Sequence, residues 1–417
     1  MRDFAPGGQI CTLARLNETH LAGLERELEQ LASSRRIALI VPCHGDDLGG
    51  AALSGIFQEL QGARFIAEVV VSVNSAGSNA REHAQRLAGM LQDRVRFLWN
   101  DNPEARRLLE RFPGAGGKGL NIWSALGLLV SEGKADLVAL QDADVTSFRS
   151  SSLARLCYPG LHPELMFEFA KMYYSRATDR LYGRITRLFL APLLQALERV
   201  IGRQPLIEFL RGFPYPLAGE AAIRMSFAAK LPIGSGWTAE LSMLSEAFHQ
   251  LPASRVCQVD GGNGYDHRHR PGGAGSELVQ SAAEIAGSLF AALQESGICL
   301  NQKQYSELLD AFTSQAGVAV QNSRALALLN QLMFDEADEY ANVEAFSLML
   351  QEGLPPADPV LPCWSLLLAE EPAWCSAFLT AIQVRHEKPK ILASEPHGSH
   401  DVVSSPNENS THTTGTR

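Results

Sequence analysis

The sequence predicts an α/β fold built on a mostly parallel sheet. Short runs rich in β-branched residues alternate with longer amphipathic stretches between residues 37 and 141, which is the pattern of strands joined by right-handed helical crossovers. The residues that follow each run are polar and turn-forming. From Pro271 onward the pattern becomes helical. The chain of 417 residues is long enough for one large domain with an appendage, or for two domains.

The elements follow in order from an N-terminal helix predicted over Glu18–Ser33. The predicted strands are Ile37–Val41, Phe65–Val73, Val95–Leu98 and Leu137–Gln141, and the predicted helices between them are Gly49–Leu60, Asn79–Gln92 and Lys118–Glu132. Parallel sheets of this kind bind ligands at the carboxyl ends of their strands. Each predicted strand end here carries amides or carboxylates, so we expect a site along this edge.

After Pro271 the spacing of apolar residues in 276–297 and beyond, to about Lys390, predicts helices without strand-like runs. The stretch 391–417 is dense in polar residues and is expected to be disordered. The predicted organisation is an N-terminal helical segment (1–36), a catalytic domain (37–275, with a nucleotide-sugar half 37–145 and an acceptor half 146–275), a helical C-terminal region (276–390) and a disordered tail (391–417).

The formal charge of −10 argues against nucleic-acid binding, which needs a basic surface. The acidity is concentrated in 276–390, with 15 acidic and 5 basic residues, so the first 275 residues remain free to bind anionic substrates.

Neither a membrane span nor a signal peptide is indicated. Seven cysteines without a CxxC pair are typical of reduced thiols, which predicts a cytoplasmic protein. The apolar faces of the C-terminal helices are suited to pairing in a homodimer.

Asp142 and Asp144 emerge two residues apart after the apolar run Leu137–Leu140. Carboxylate oxygens suit Mg²⁺ or Mn²⁺, which the phosphates of a nucleotide would complete. Aspartates also cap turns, so the pair alone is weak evidence.

Lys118 stands at the start of a predicted helix, within the glycine-rich run 114–119. Backbone N–H groups, the helix dipole and the ammonium all favour a diphosphate there. A flexible surface loop with a solvated lysine is the alternative.

Further candidates are spread along the acceptor half. His267 or His269 would complete a metal site with Asp144, or would belong to a basic surface turn. Glu240 follows a glycine-rich, aromatic loop and would hold sugar hydroxyls, although surface glutamates on helices are common. Arg184 and Thr186 would bind a carboxylate or phosphate, or would lie on a solvated helix face.

In this order, the segments resemble the retaining GT-A glycosyltransferases that make glucosyl-3-phosphoglycerate, with mannosylglycerate synthases as more distant relatives. The matching residues are Val41-Pro42, Gly117-Lys118-Gly119, Asp142-Ala143-Asp144, Gly183-Arg184-Ile185-Thr186, Pro216-Leu217-Ala218-Gly219-Glu220, Glu240 and His267-Arg268.

The resemblance implies roles for these residues. Asp144 and His267 would bind the metal, Mg²⁺ or Mn²⁺. The nucleotide sugar, UDP-glucose by this resemblance, would contact Pro42, Asp46, Asn74, Lys118 and Asp142, while Arg184, Thr186 and His269 would bind the acceptor, 3-phosphoglycerate. Glu240, Asp144 and Lys118 would form the catalytic group, with Glu240 positioning the donor sugar or acceptor.

The alternatives concern the substrates first. His269 stands where the family has Asn, so glycerate or another polyol is an alternative acceptor. The segment around Asp142 is also similar to the mannosylglycerate synthases, so mannose is an alternative donor sugar. A sugar nucleotidyltransferase and a non-catalytic binding module are the other classes. The glycine-rich loop lies before the fourth strand here, whereas a nucleotidyltransferase normally carries it after the first.

Overall fold

The computed structural model describes residues 9–16, 21–262, 265–267, 276–353, 357 and 359–383. An eight-stranded sheet, with a hydrophobic core on each face, dominates this part of the chain. Its strands are β1 Cys11–Leu13, β2 Ile37–His44, β3 Ile66–Asn74, β4 Val95–Trp99, β5 Leu137–Leu140, β6 Phe169–Tyr173, β7 Ala221–Arg224 and β9 Val256–Asp260, while β8 Ile233–Gly234 and β10 Val360–Leu361 form a separate two-stranded ribbon.

Fifteen α-helices lie in the described residues. They are α1 Leu21–Ala32, α2 Ala51–Gly62, α3 Ala80–Leu91, α4 Pro103–Leu109, α5 Gly117–Glu132, α6 Ser150–Leu161, α7 Ala191–Ile201, α8 Pro205–Arg211, α9 Met225–Ala228, α10 Ala239–Gln250, α11 Ser276–Glu295, α12 Gln302–Leu329, α13 Glu336–Glu352, α14 Trp364–Glu370 and α15 Pro372–Ile382.

The strand order is β1-β9-β6-β7-β5-β2-β3-β4. β7 runs antiparallel to both of its neighbours, and the other pairings are parallel. This confirms the predicted α/β class with a mostly parallel sheet. β2 explains why the prediction works: Ile37, Leu39 and Val41 enter one core, and Ala38 and Ile40 enter the other. A strand buried on both faces is a continuous apolar run in the sequence.

Four of the ten described strands, β2 to β5, were predicted from the sequence, and β1, β6, β7, β8, β9 and β10 were not. β1 lies in the N-terminal segment and pairs in parallel with β9, and the two-residue β10 lies in the region where only helices were expected. Both are too short to show an alternating pattern, and each is defined by its tertiary pairing. The prediction that the C-terminal region lacks strands was therefore wrong at Val360–Leu361.

The C-terminal helices pack directly on the sheet domain. The α12 helix runs along α7, and the Trp364 ring lies against Trp123 of α5 with centroids 4.4 Å apart. The described residues belong to one compact unit. The domain division at residue 275 stays a prediction, because 268–275 lie outside the described residues, as does the predicted tail. Among the described helices, none combines the length and apolarity that crossing a membrane requires.

Candidate active site

A network of buried amides ties together the carboxyl ends of the parallel strands. Asn100, which follows β4, donates through Nδ2 to Asn121 Oδ1 at 2.7 Å and to Ser72 Oγ at 2.9 Å. Asn121 on α5 donates to Asn74 Oδ1 at 3.1 Å. The side-chain oxygen of Asn74, a predicted nucleotide ligand, thus helps to hold α5 against the strand ends. This contact holds α5 at Asn121, three residues after Lys118.

Asp142, Asp144 and His267 meet just beyond β5. An antiparallel bridge between Val145 and His267 draws the two segments together. His267 Nδ1 lies 3.2 Å from Asp144 Oδ1, and one ligand atom from each of the three residues falls within 4.8 Å of the others. Two hard carboxylate oxygens and one imidazole nitrogen suit Mn²⁺ or Mg²⁺. The donor set therefore fits the predicted metal, and the structure brings the predicted ligands Asp144 and His267 together with Asp142.

The charges around Asp144 favour its ionised form. Burial alone would raise the pKa of Asp144, but the hydrogen bond with His267 and the charges of His267, Lys118 and Arg176 lower it overall. Because its pKa is lowered, the Asp144 carboxylate is already ionised and can bind a cation without first losing a proton.

Lys118 closes the other side of this cluster from the first turn of α5. Its Nζ lies 2.5 Å from Asp142 Oδ1 and 2.5 Å from Glu240 Oε1. Burial would lower the pKa of Lys118, but the two carboxylates raise it overall, so the ammonium stays charged. The structure thus joins three predicted residues in one ion-pair group and places the group beside the metal ligands.

Four glycines allow α5 and α10 to begin side by side. A side chain at Gly119 would collide with the carbonyl oxygen of Gly234, and one at Gly117 would lie 3.0 Å from Gly236 Cα. Gly117 and Gly236 also have positive φ values of 60° and 59°, a conformation that glycine adopts without strain. This close approach brings Lys118 of α5 to Glu240 of α10.

Gly219 and Glu220 support the cluster from the antiparallel side of the sheet. A side chain at Gly219 would occupy the position of the Asp142 carboxylate. Glu220 is fully buried, and Gln141 Nε2 donates to its Oε1 at 3.2 Å while the Tyr174 hydroxyl donates to its Oε2 at 2.7 Å. Burial raises the pKa of Glu220, and the hydrogen bond from Tyr174 opposes this shift.

Lys171 is a second buried cation close to these carboxylates. It lies on β6 with 1% of its surface exposed, and its Nζ donates to the carbonyl oxygen of Ala218. Burial lowers the pKa of Lys171 to about 8, although the nearby charges of Glu240 and Glu220 oppose the shift. Lys171 therefore attaches β6 to the turn that carries Gly219 and Glu220.

A cavity of about 450 Å³ lies beside the glycine-rich turn before α5. Its lining includes Gly114–Gly117, Asn74, Asn100, Asp101 and Arg106. The cavity reaches Gly117 and Leu120 on either side of Lys118, so it lies next to the start of α5.

The remaining predicted nucleotide contacts lie at the end of β2. Pro42 is buried within that strand. Asp46 lies in the following turn, largely exposed, with Oδ2 3.4 Å from His44 Nδ1. An exposed carboxylate at this rim is accessible to a ligand, but it makes none of the contacts that hold the metal cluster together.

The predicted acceptor residues occupy a different environment. The Arg184 guanidinium contacts Asp338, and its Nε lies 3.4 Å from Glu339 Oε1, both on α13. Thr186 is buried in the π-helical turn Ile185–Leu190. His269 lies outside the described residues. The described polar contacts of Arg184 thus lead to the C-terminal helices and not to the metal cluster.

Four residues around the cluster were not assigned a role from the sequence: Tyr174, Gln141, Lys171 and Glu220. Lys171 had one visible clue, a charged residue inside an apolar strand. Tyr174 and Gln141 had none, because their importance arises from contacts between β5, β6 and β7, whose pairing is antiparallel and does not follow chain order.

The fold and the site together define a metal-dependent glycosyltransferase of the GT-A type, with paired aspartates, a histidine and a helix-start lysine at the edge of the sheet. No protein-family model matches the chain. A glucosyl-3-phosphoglycerate synthase of Persephonella marina is 32% identical over 397 residues, covering 92% of this chain and 98% of the relative. The chain belongs to the glucosyl-3-phosphoglycerate synthase family.

Other comparisons agree with this family. The synthase of Methanococcoides burtonii is 26% identical over 367 residues, covering 84% of this chain and 90% of the relative. A crystal structure of glucosyl-3-phosphoglycerate synthase from Mycobacterium tuberculosis, in complex with Mn²⁺, UDP-glucose and phosphoglyceric acid, has a TM-score of 0.54. It is 23% identical and covers 72% of this chain and 93% of its own. A second structure from that organism, with Mg²⁺ and UDP, has a TM-score of 0.52 and is 22% identical, covering 70% of this chain and 88% of its own. These two structures support the fold.

Proposed function

We propose that the protein transfers glucose from UDP-glucose to 3-phosphoglycerate and forms glucosyl-3-phosphoglycerate with retained configuration. The observation that carries this proposal is the group formed by Asp142, Asp144, His267 and Lys118 in a chain of this family. It supplies metal ligands and a fixed cation at one place, next to a cavity of nucleoside size.

The diphosphate is the leaving group of this reaction, so negative charge builds on it as the sugar departs. Mg²⁺ or Mn²⁺ held by Asp144 and His267, with Asp142 beside them, would stabilise that charge. Lys118 acts on the same oxygens: its ammonium is fixed by Asp142 and Glu240 before the substrate binds, and the N-terminus of α5 adds its dipole.

Glu240 holds the donor sugar or the acceptor hydroxyl through its carboxylate. The bond between the sugar C1 and the diphosphate oxygen breaks, and the acceptor oxygen forms the new bond to C1 on the same face. The acceptor hydroxyl proton passes to the departing phosphate oxygen, so no enzyme nucleophile is required. Arg184 and Thr186 bind the acceptor, and the Arg184 side chain remains 24% exposed for this contact.

The direct test is an assay of the purified protein with Mg²⁺ or Mn²⁺, UDP-glucose or GDP-mannose, and 3-phosphoglycerate or glycerate. We expect a glucosylated phosphoglycerate, identified by mass spectrometry and by the anomeric signal in proton NMR. Asp144→Asn should reduce the rate by about a hundredfold or more, since it removes a ligand of the catalytic metal. Absence of product with every donor and acceptor pair would contradict the proposal.

A second candidate is the same chemistry with glycerate as acceptor. It is favoured by His269, which replaces the Asn of the family. If glycerate is preferred, His269→Asn should shift the preference toward 3-phosphoglycerate. Pyrophosphate release from UTP and glucose 1-phosphate would instead indicate a sugar nucleotidyltransferase.

We also propose a cytoplasmic location, supported by seven free cysteines. The homodimer stays a prediction, and light scattering of the purified protein tests it: a mass near that of one chain would exclude it.

A further inference from the structure

The two ring nitrogens of His267 face different partners. Nδ1 lies 3.2 Å from Asp144 Oδ1, and Nε2 lies 3.3 Å from the Tyr174 hydroxyl. Only 6% of His267 is exposed, so these side chains, more than bulk water, decide which nitrogen carries a proton. A metal ion binds only the nitrogen that does not carry one.

The Tyr174 hydroxyl has one proton to donate and two neighbours that can accept it. Glu220 Oε2 is the nearer at 2.7 Å, whereas His267 Nε2 is 3.3 Å away. The Tyr174 hydroxyl therefore donates its proton to Glu220, the nearer acceptor. Its oxygen is then available to accept a hydrogen bond from a proton on His267 Nε2.

Glu220 cannot turn away from this arrangement because its second oxygen is also held. Gln141 Nε2 donates to Glu220 Oε1 at 3.2 Å, and Gln141 exchanges hydrogen bonds with the Tyr265 hydroxyl at 2.9 and 3.0 Å. The rings of Tyr265 and Tyr174 lie 4.1 Å apart, centroid to centroid. Packing and hydrogen bonding thus fix both the carboxylate and the phenol.

We infer that Glu220 and Tyr174 form a relay that keeps a proton on His267 Nε2 and leaves Nδ1, beside Asp144, as the atom that binds the metal. Both are positioning residues, since they act on the metal through His267. Carboxylates and other acceptors behind a metal-binding histidine commonly set its tautomer and raise its affinity for the metal. The inference rests on the metal site of the proposed function, but the proton position can be measured without metal or substrate.

The first experiment is long-range ¹H–¹⁵N NMR on protein with ¹⁵N-labelled histidine, with and without Mg²⁺. Loss of one imidazole spin system in His267→Asn assigns the signal. We expect a proton on Nε2 in both states. A further proton on Nδ1, the one that hydrogen-bonds to Asp144 in the metal-free protein, should be absent when Mg²⁺ is bound. A proton on Nδ1 with a bare Nε2 would overturn the relay.

The second experiment measures Mn²⁺ affinity by electron paramagnetic resonance in the absence of substrates. Tyr174→Phe removes only the hydroxyl and should raise the Mn²⁺ dissociation constant by about ten- to a hundredfold. Glu220→Gln should raise it as well, since the amide is a weaker acceptor. Tyr158→Phe is the matched control: its hydroxyl also donates to a glutamate, Glu27 at 2.9 Å, but on the distant pair α1 and α6, and its affinity should not change.

Thermal unfolding of each variant shows whether it is folded. If a variant is unfolded, its Mn²⁺ affinity is not used, and the NMR result on the wild-type protein tests the relay. Unchanged Mn²⁺ affinity in folded Tyr174→Phe and Glu220→Gln would overturn the relay. If wild-type protein binds no Mn²⁺, the metal site of the proposed function fails, while a proton on Nε2 in the metal-free protein would still support the relay.

Discussion

The proposed diphosphate side and the proposed acceptor side of the site are built differently. On the diphosphate side, Lys118 is enclosed between Asp142 and Glu240, and its ion pairs are largely buried. Glycine contacts between α5 and α10 leave this group little freedom to move. Its charges are arranged before any substrate binds, which reduces the reorganisation that the reaction requires.

On the acceptor side, Arg184 is a partly exposed guanidinium held by Asp338 and Glu339 from α13. Its partners come from the C-terminal helices, far along the chain. An anionic acceptor must share this guanidinium with carboxylates that already neutralise it. Under the proposed roles, the charges for the leaving group are fixed within the sheet domain, whereas the guanidinium for the acceptor is held by residues of α13 outside it.

The largest effect should follow from breaking the diphosphate side at its cation. Lys118→Met keeps the length of the side chain but leaves Asp142 and Glu240 without their shared partner. We expect kcat/KM to fall by about a hundred- to a thousandfold, the usual range for loss of one electrostatic stabiliser. Initial rates at saturating Mg²⁺ measure this. Lys134→Met, at an exposed lysine, should retain full activity, and a loss below tenfold at Lys118 would contradict the assignment.

Gly219→Ala tests whether the rigidity of the diphosphate side matters. The added methyl would occupy the place of the Asp142 carboxylate, so Asp142 must move away from Lys118. Misplacement of this kind costs about a hundredfold in rate. Gly89→Ala, in α3 with open space around the new methyl, is the matched control and should leave the rate unchanged. Equal rates for both variants would show that the site tolerates movement of Asp142.

Arg184→Ala tests the acceptor side. Because a charged hydrogen bond is worth about 1.5–3 kcal/mol, we expect the KM for 3-phosphoglycerate to rise roughly tenfold or more while the KM for UDP-glucose stays the same. Asp338→Asn removes one competing carboxylate and should lower the acceptor KM. If Arg184→Ala reduces only thermal stability, Arg184 serves to join the domain to α13 and does not bind the acceptor.

The smallest effect concerns stability and Lys171. The folded chain loses the Lys171 proton near pH 8, whereas the usual lysine pKa is 10.5, so the unfolded chain binds more protons between these values. Stability therefore rises with pH in this window. The free energy of unfolding of wild type minus that of Lys171→Met should increase by about 1.6 kcal/mol from pH 8 to pH 9.5. Urea denaturation at the two pH values measures it, and a constant difference would contradict the lowered pKa.

Much of the diphosphate side could be predicted from the sequence because parallel strands bring their carboxyl ends to one edge. Asp142 and Lys118 lie next to elements with clear apolar patterns, so their positions followed from the strand order. Their contact with Glu240 did not, since it depends on the packing of Gly119 against Gly234.

The support behind the metal ligands could not be predicted. Tyr174 lies after β6, and its contacts with Glu220 and His267 cross a sheet whose order departs from the chain order. The pairing of Arg184 with Asp338 spans 154 residues. Neither contact leaves a local pattern, since both arise only when distant elements pack.

The packing of the C-terminal residues on α5 has a consequence for the order in which the enzyme is made. Trp364 Nε1 donates to the carbonyl of Trp123 at 2.7 Å, and the carbonyl of Pro359 accepts from the backbone of Ser235 at 3.2 Å, close to the glycines beside Lys118. These residues leave the ribosome after the entire sheet domain. The contacts of Trp364 and Pro359 with the segments on either side of Lys118 can therefore form only after the sheet domain has been synthesised.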